Sequence, residues 1–219
     1  MDLMNWEAVQ TSLFPLLLGL RMTVELTFIV ITISLVLAIP VALSRNSRFR
    51  SIRAVAHVYV EVIRSTPLLL QLIYIYYVLP EIGIQLQPFA AGVIGLSIHY
   101  IAYISEVYRT GIEAVPEGQT RAARALGMSN FQINVKIILP QAIRMVIPSL
   151  GNYFVSLFKD TALVSVISVN ELLFQGQILG ARTYQYFTIF TVTFFLYFIV
   201  GYPATQFVRF LERRTQNRR

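Results

Sequence analysis

The residues best suited to chemistry in this chain are charged pairs set inside apolar surroundings. Glu61 and Arg64 lie three apart, as do Glu106 and Arg109, and Lys159 adjoins Asp160. Residues three or four apart share a helix face, so the first two pairs are placed to neutralise each other. Ionisable groups at membrane depth are expensive and usually face a bundle interior or a watery cavity. Neutralisation and snorkelling of the long side chains account for such pairs structurally. Their other use is a path that offers both charge signs to a solute, and mixed signs suit a zwitterion better than an anion or an apolar solute. Thus Glu61, Arg64, Glu106, Lys159 and Asp160 are candidate path residues.

Catalytic chemistry is poorly served. There is no cysteine, hence no thiol nucleophile and no disulfide. The two histidines, His57 and His99, lie far apart in apolar runs and read as hydrogen-bonded helix residues. No metal-ligand spacing occurs. The phosphate-binding pattern G-x-x-x-x-G-K-[ST] is missing, and neither Lys136 nor Lys159 follows a glycine. An ATP site is therefore expected on another chain, with no cofactor held by this one.

The elements that position these charges are apolar spans. Of 219 residues, 56% are hydrophobic and only 13% charged, where soluble domains average about a quarter charged. Mean hydropathy is +0.62. A membrane helix takes about 20 predominantly apolar residues. Five runs qualify: 22–43, 54–79, 88–107, 137–158 and 187–208. The stretch 161–169, about 13 Å long as a helix, is too short to cross and reads as interfacial or re-entrant. The acidic, polar start (MDLMNWEAVQ) is unlike a cleaved signal peptide.

Backbone groups in lipid must pair internally, which predicts helices throughout. The fold class is an all-α polytopic membrane protein with one domain over 1–219. The net charge of +7 follows topology rather than nucleic-acid binding. Fourteen of the eighteen basic residues fall on one side if five spans cross: Arg45 to Arg53, Arg109 to Arg144, and Arg209 to Arg219. Basic loops mark the cytoplasmic side, so the N-terminus is expected outside and the C-terminus inside. No internal repeat suggests a two-half transporter; the chain reads as one half of a pair.

Between spans three and four lies a helical cytoplasmic segment, 115–136. Pro116 and Glu117 suit a helix start. Ala122, Ala123 and Leu126 favour the helix, and Gly127 supplies its stop. Ser129 and Gln132 form a capping box for the next helix. Pro140 and Pro148 interrupt span four and are candidate hinges.

This segment resembles the "EAA" loop of ABC-importer permeases. The wider chain is similar to the polar amino acid permeases of that class, the histidine/glutamine/arginine/glutamate group. The stretches that carry the likeness are Arg64-Ser-Thr-Pro-Leu-Leu-Leu-Gln71, Ala102-Tyr-Ile-Ser-Glu-Val-Tyr-Arg-Thr-Gly111, Pro116-Glu-Gly-Gln-Thr-Arg-Ala-Ala-Arg-Ala-Leu-Gly127, Leu139-Pro-Gln-Ala-Ile-Arg144 and Lys159-Asp-Thr-Ala-Leu-Val-Ser165. They stand in the family's order across most of 20–210. The resemblance implies a type I importer fold in the bacterial inner membrane, working as a dimer by alternating access. It implies an ATP-binding-cassette ATPase dimer carrying ATP and magnesium. A second permease, identical or homologous, and an extracytoplasmic amino-acid-binding protein are implied too, with membrane lipid around them and no nucleic acid. ATPase coupling would fall to Glu117, Gly118, Arg121, Ala122, Ala123, Leu126 and Gly127. In the family the region after span four lines the outer path, which favours Asp160 with Asn152. One departure stands out: Arg121 occupies the place of the family's usual glutamate. Two alternatives stay open, a permease for another small polar solute and an ATP-independent transporter or channel.

Overall fold

The computed structural model describes residues 4–216, which are helical apart from short connections. Arg218 and Arg219 of the expected basic tail lie outside them. Helix α1 (Trp6–Arg45) begins where the Asn5 side chain accepts from the Ala8 N–H, a conventional N-cap. It starts well before the expected residue 22. Glu7, Gln10 and Arg21 had diluted the hydropathy there, but the helix is kept by packing. Gly19 lets α1 approach α8 (Leu172–Thr183) so closely that a Cβ would sit 2.9 Å from the Leu172 Cα.

The second expected span is broken. Helices α2 (Arg50–Ser65) and α3 (Leu68–Ile73) meet at 107°. Pro67 has no N–H and pushes the preceding residue out of the helical region; Thr66 is accordingly extended, with ψ at 142°. Helix α3 runs on through a π-turn, Tyr74–Val78, and a tight turn, Leu79–Ile82, to Gly83 at φ 86°.

Helix α4 (Pro88–Glu113) is the central element, packed along α1 and α7 (Leu139–Asp160). Its Gly111 faces Val146 with no room for a Cβ. Short helices α5 (Glu117–Ala125) and α6 (Asn130–Ile133) follow. A π-turn, Asn134–Ile138, leads into α7, which tightens into a short 3₁₀ helix, Thr161–Ile167, within the stretch 161–169 expected to be a short helix. Helix α9 (Tyr186–Gln216) closes the chain. Among the described residues, four helical stretches are long and apolar enough to cross a membrane, and the bent pair of α2 with Leu68–Ile82 brings the number to five. The core gathers Leu26, Val30, Leu72, Leu96, Ile104 and Leu157 from four helices.

Candidate translocation pathway and coupling surface

Three helices bring a polar, aromatic cluster together. On α4, His99 and Tyr103 lie four apart on one face, and Tyr100 lies beside them. The Tyr100 hydroxyl donates to Asp160 Oδ2 of α7 at 2.6 Å. Tyr153 of α7 stands edge-on to Tyr100, ring centres 6.2 Å apart, and 5.9 Å from Tyr103. His99 lies 4.8 Å from Tyr103. From α2, the Arg64 guanidinium sits 5.5 Å above the Tyr103 ring, within cation–π range. The cluster therefore presents a carboxylate and a guanidinium joined by three phenols and an imidazole. Asp160 keeps Oδ1 free of hydrogen bonds, and Arg64 is partly exposed.

One helical turn along α4, Glu106 is the acceptor for several cations. Its Oε2 takes the buried Arg45 guanidinium from the end of α1, and its Oε1 takes Arg109 at 2.5 Å. Arg64 reaches only to 3.9 Å from Oε2. Arg109 also donates to both Glu113 oxygens at 2.6 Å, and Arg45 lies 3.4 Å from His57 Nδ1. The expected Glu106–Arg109 pair forms. The expected Glu61–Arg64 pair does not: Arg64 turns across to α4, over the Tyr103 ring and 3.9 Å from Glu106, and Glu61 is left exposed.

The remaining path candidates scatter. Lys159 makes no ion pair with Asp160; it lines a groove between α7 and α9 with Phe194, Tyr197 and Arg209. Asn152 is not brought to Asp160 but donates to Glu212 of α9 at 2.9 Å. Tyr100, Tyr103, Tyr153 and Arg45 were not singled out from the sequence. Phenols at helical spacing on α4 carried a signal; Arg45, far away in sequence, carried none.

A second surface is the 115–136 segment. Pro116 precedes the first turn of α5 and is not part of it. Only Ala123 of α5 is buried, and Glu117, Gly118, Arg121 and Ala122 are exposed. Gly127 takes φ 77°, a left-handed stop that spares a Cβ its clash. The Ser129–Gln132 capping box forms, with both reciprocal bonds made. Leu126 is 81% exposed and Phe131 75%. Two apolar side chains held out beside Arg121 and Arg124 make a surface suited to a protein groove. Pro140 is the second residue of α7, just past the π-turn Asn134–Ile138, and Pro148 lies further along α7.

Comparison with known proteins gives a consistent likeness. The family model described as "Binding-protein-dependent transport system inner membrane component" matches residues 31–217. The probable amino-acid ABC transporter permease protein y4tG of Sinorhizobium fredii is 41% identical over 94% of this chain and 89% of its own length. The L-cystine transport system permease protein TcyB of Bacillus subtilis is 41% identical over 95% of this chain and 90% of its own. Among solved structures, an amino acid ABC transporter with histidines superposes with a TM-score of 0.91 at 38% identity, covering 96% of this chain and 98% of that one. The MetNI methionine ABC transporter in an inward-facing form shares the fold, with a TM-score of 0.70 at 19% identity over 90% of this chain and 96% of its own.

Proposed function

Because this chain belongs to the family of binding-protein-dependent transport system inner membrane components, we propose that its α2–α4–α7 cluster is the passage for a polar amino acid. The chain is the permease subunit of an ATP-binding-cassette importer with a type I fold, and it is a multi-pass membrane protein. It is no enzyme: ATP is hydrolysed on a separate subunit, and a second permease completes the assembly.

The observation that carries the passage is the pairing of Asp160 with Arg64 across an aromatic floor. A zwitterion needs an acceptor for its ammonium and a donor for its carboxylate. Asp160 offers the first with a free oxygen, and Arg64 the second, because Glu106 is already saturated. Phenol faces between them stabilise a passing cation. Glu61, on the exposed side of α2, and Asn152, tied to Glu212, stand outside the cluster. Lys159 stands in the neighbouring groove.

Transport proceeds by alternating access between two permease subunits, identical or homologous. The 115–136 segment seats in a groove on each ATPase through Glu117, Gly118, Arg121, Ala122, Ala123, Leu126 and Gly127. Closure of the ATPase dimer on ATP and magnesium rocks the helices, with Pro140 and Pro148 as hinges. An extracytoplasmic binding protein delivers the amino acid. The chain lies in the bacterial inner membrane, surrounded by lipid, with the N-terminus outside and the C-terminus inside; the one-sided basic residues support that orientation.

The test is uptake in proteoliposomes with the ATPase and binding protein. Asp160→Ala should abolish most uptake of the transported amino acid while the ATPase still co-purifies. Unchanged uptake would refute the passage.

A further inference from the structure

We propose that Gln71 is a positioning residue that fixes the tautomer of His99, so that His99 Nε2 serves the passage as a hydrogen-bond acceptor for solute N–H groups. This rests on the reading of the cluster as the passage.

The chain of causes starts at Pro67. In a continuous helix the N–H of residue 67 would bond to the carbonyl of Ile63. Proline has no N–H, so that carbonyl is left open where α2 ends. The Gln71 Nε2 amide fills it, donating to Ile63 O at 2.8 Å and to Thr66 O at 3.1 Å. It also lies 2.7 Å from Thr66 Oγ1, whose own proton goes to Val62 O at 2.9 Å. All three partners of that nitrogen are therefore acceptors. Turning the amide over would set its oxygen against two carbonyls and a committed hydroxyl, so its orientation is determined by the network.

The other end of the amide follows. Gln71 Oε1 lies 3.1 Å from His99 Nδ1. A carboxamide oxygen only accepts, so Nδ1 must carry the proton. A neutral imidazole with Nδ1–H has its lone pair on Nε2. That nitrogen has no partner among the described residues and is not among the buried unpaired atoms. His99 lies against Tyr103 and Tyr100, the latter bound to Asp160. The elbow at Pro67 thus sets which way a ring in the passage presents its lone pair. With Asp160 it gives the passage two acceptors, which favours solutes rich in N–H donors, such as ammonium, guanidinium or carboxamide groups.

The test uses the full chain with its ATPase in nanodiscs, with ¹⁵N-labelled histidine. The chain has only two histidines, and with the label confined to it and the ATPase unlabelled, His57→Gln leaves His99 alone in the spectrum. At pH 8.5 the expected ¹⁵N shifts show a protonated Nδ1 and a bare Nε2. Gln71→Leu, which removes the acceptor for Nδ1–H, should release the preference. Binding of tritiated L-arginine, L-glutamine and L-cystine is measured on the same samples. His99→Phe should weaken the bound amino acid by about tenfold, the usual loss for a hydrogen bond to a charged donor. Gln71→Leu should weaken it by about twofold or more, since only part of the ring population then presents the acceptor. A wild-type chain that binds one of the three but shows the Nε2–H tautomer overturns this inference alone. So does a Gln71→Leu variant with unchanged shifts and affinity. A wild-type chain that binds none of the three overturns the amino acid reading, and this inference with it.

Discussion

Replacing Glu106 by leucine should destabilise the protein more than any other single charge removal among its described helices. Arg45 is 6% exposed and among the described residues its only close anionic partner is Glu106, itself 18% exposed. Breaking a buried pair by removing one partner costs about 3–5 kcal/mol, because the remaining charge is left uncompensated. Arg109 retains Glu113, and Arg64 is at 3.9 Å and partly exposed, so each adds only about 0.5 kcal/mol. The expected total is roughly 4 kcal/mol, which for a chain of this length lowers the midpoint by about 10 °C. Temperature-resolved size-exclusion chromatography of the detergent-solubilised complex measures it. Arg45→Met combined with Glu106→Leu should recover at least half of the loss, since an apolar pair replaces a buried ionic one at little cost. A Glu106→Leu midpoint within about 2 °C of wild type would refute the reasoning. A double variant no more stable than the single one would do the same.

Three other outcomes are expected. Glu171, fully buried, accepts from the Leu173 and Phe174 N–H groups and from the Tyr197 hydroxyl; Glu171→Ala should cost about 2–4 kcal/mol in thermal unfolding, against less for Glu171→Gln, and a loss below about 1 would contradict the cap. Gly111→Ala should cost about 1–3 kcal/mol by overpacking against Val146, and Val146→Ala should rescue it; failure of the rescue would mean that the collision is relieved elsewhere. Leu126→Asp with Phe131→Asp should leave the melting midpoint unchanged, because both side chains are exposed, yet reduce ATPase co-purification at least about fivefold. Full retention of the ATPase would move the docking surface elsewhere.

Hydropathy alone located the helices long and apolar enough to cross a membrane, since α1, α4 and α9 each contain one of the apolar runs and α7 contains all but the first two residues of another. The break in the second run was also written locally, in Thr66-Pro67, but a window of about twenty residues averages over a single proline. Helix α8 escaped because it is short and carries Gly176 and Gly180, whose value lies in contact with Thr193 and Tyr186. Local spacing foretold the Glu106–Arg109 pair and failed for Glu61–Arg64. An i,i+3 pair on a surface is weak, and Arg64 instead lies over the Tyr103 ring, 3.9 Å from Glu106. Arg45 looked like one more topological charge; its partner stands 61 residues away, a separation that no local pattern encodes. The exposed stop at Gly127 and the capping box at Ser129 were fully legible because both are local backbone chemistry.

Helix α1 touches α8 at Gly19 and holds Glu106 through Arg45, 26 residues later. At 1.5 Å per residue those points are about 39 Å apart. The helix is therefore a lever arm. A tilt of about 5° pivoting on the glycine contact carries the arginine end roughly 3 Å, a full hydrogen-bond length. Small rigid-body rotations registered where α1 meets α8 are thus read at the other end as the making or breaking of an ionic contact, with no need for the helix itself to bend.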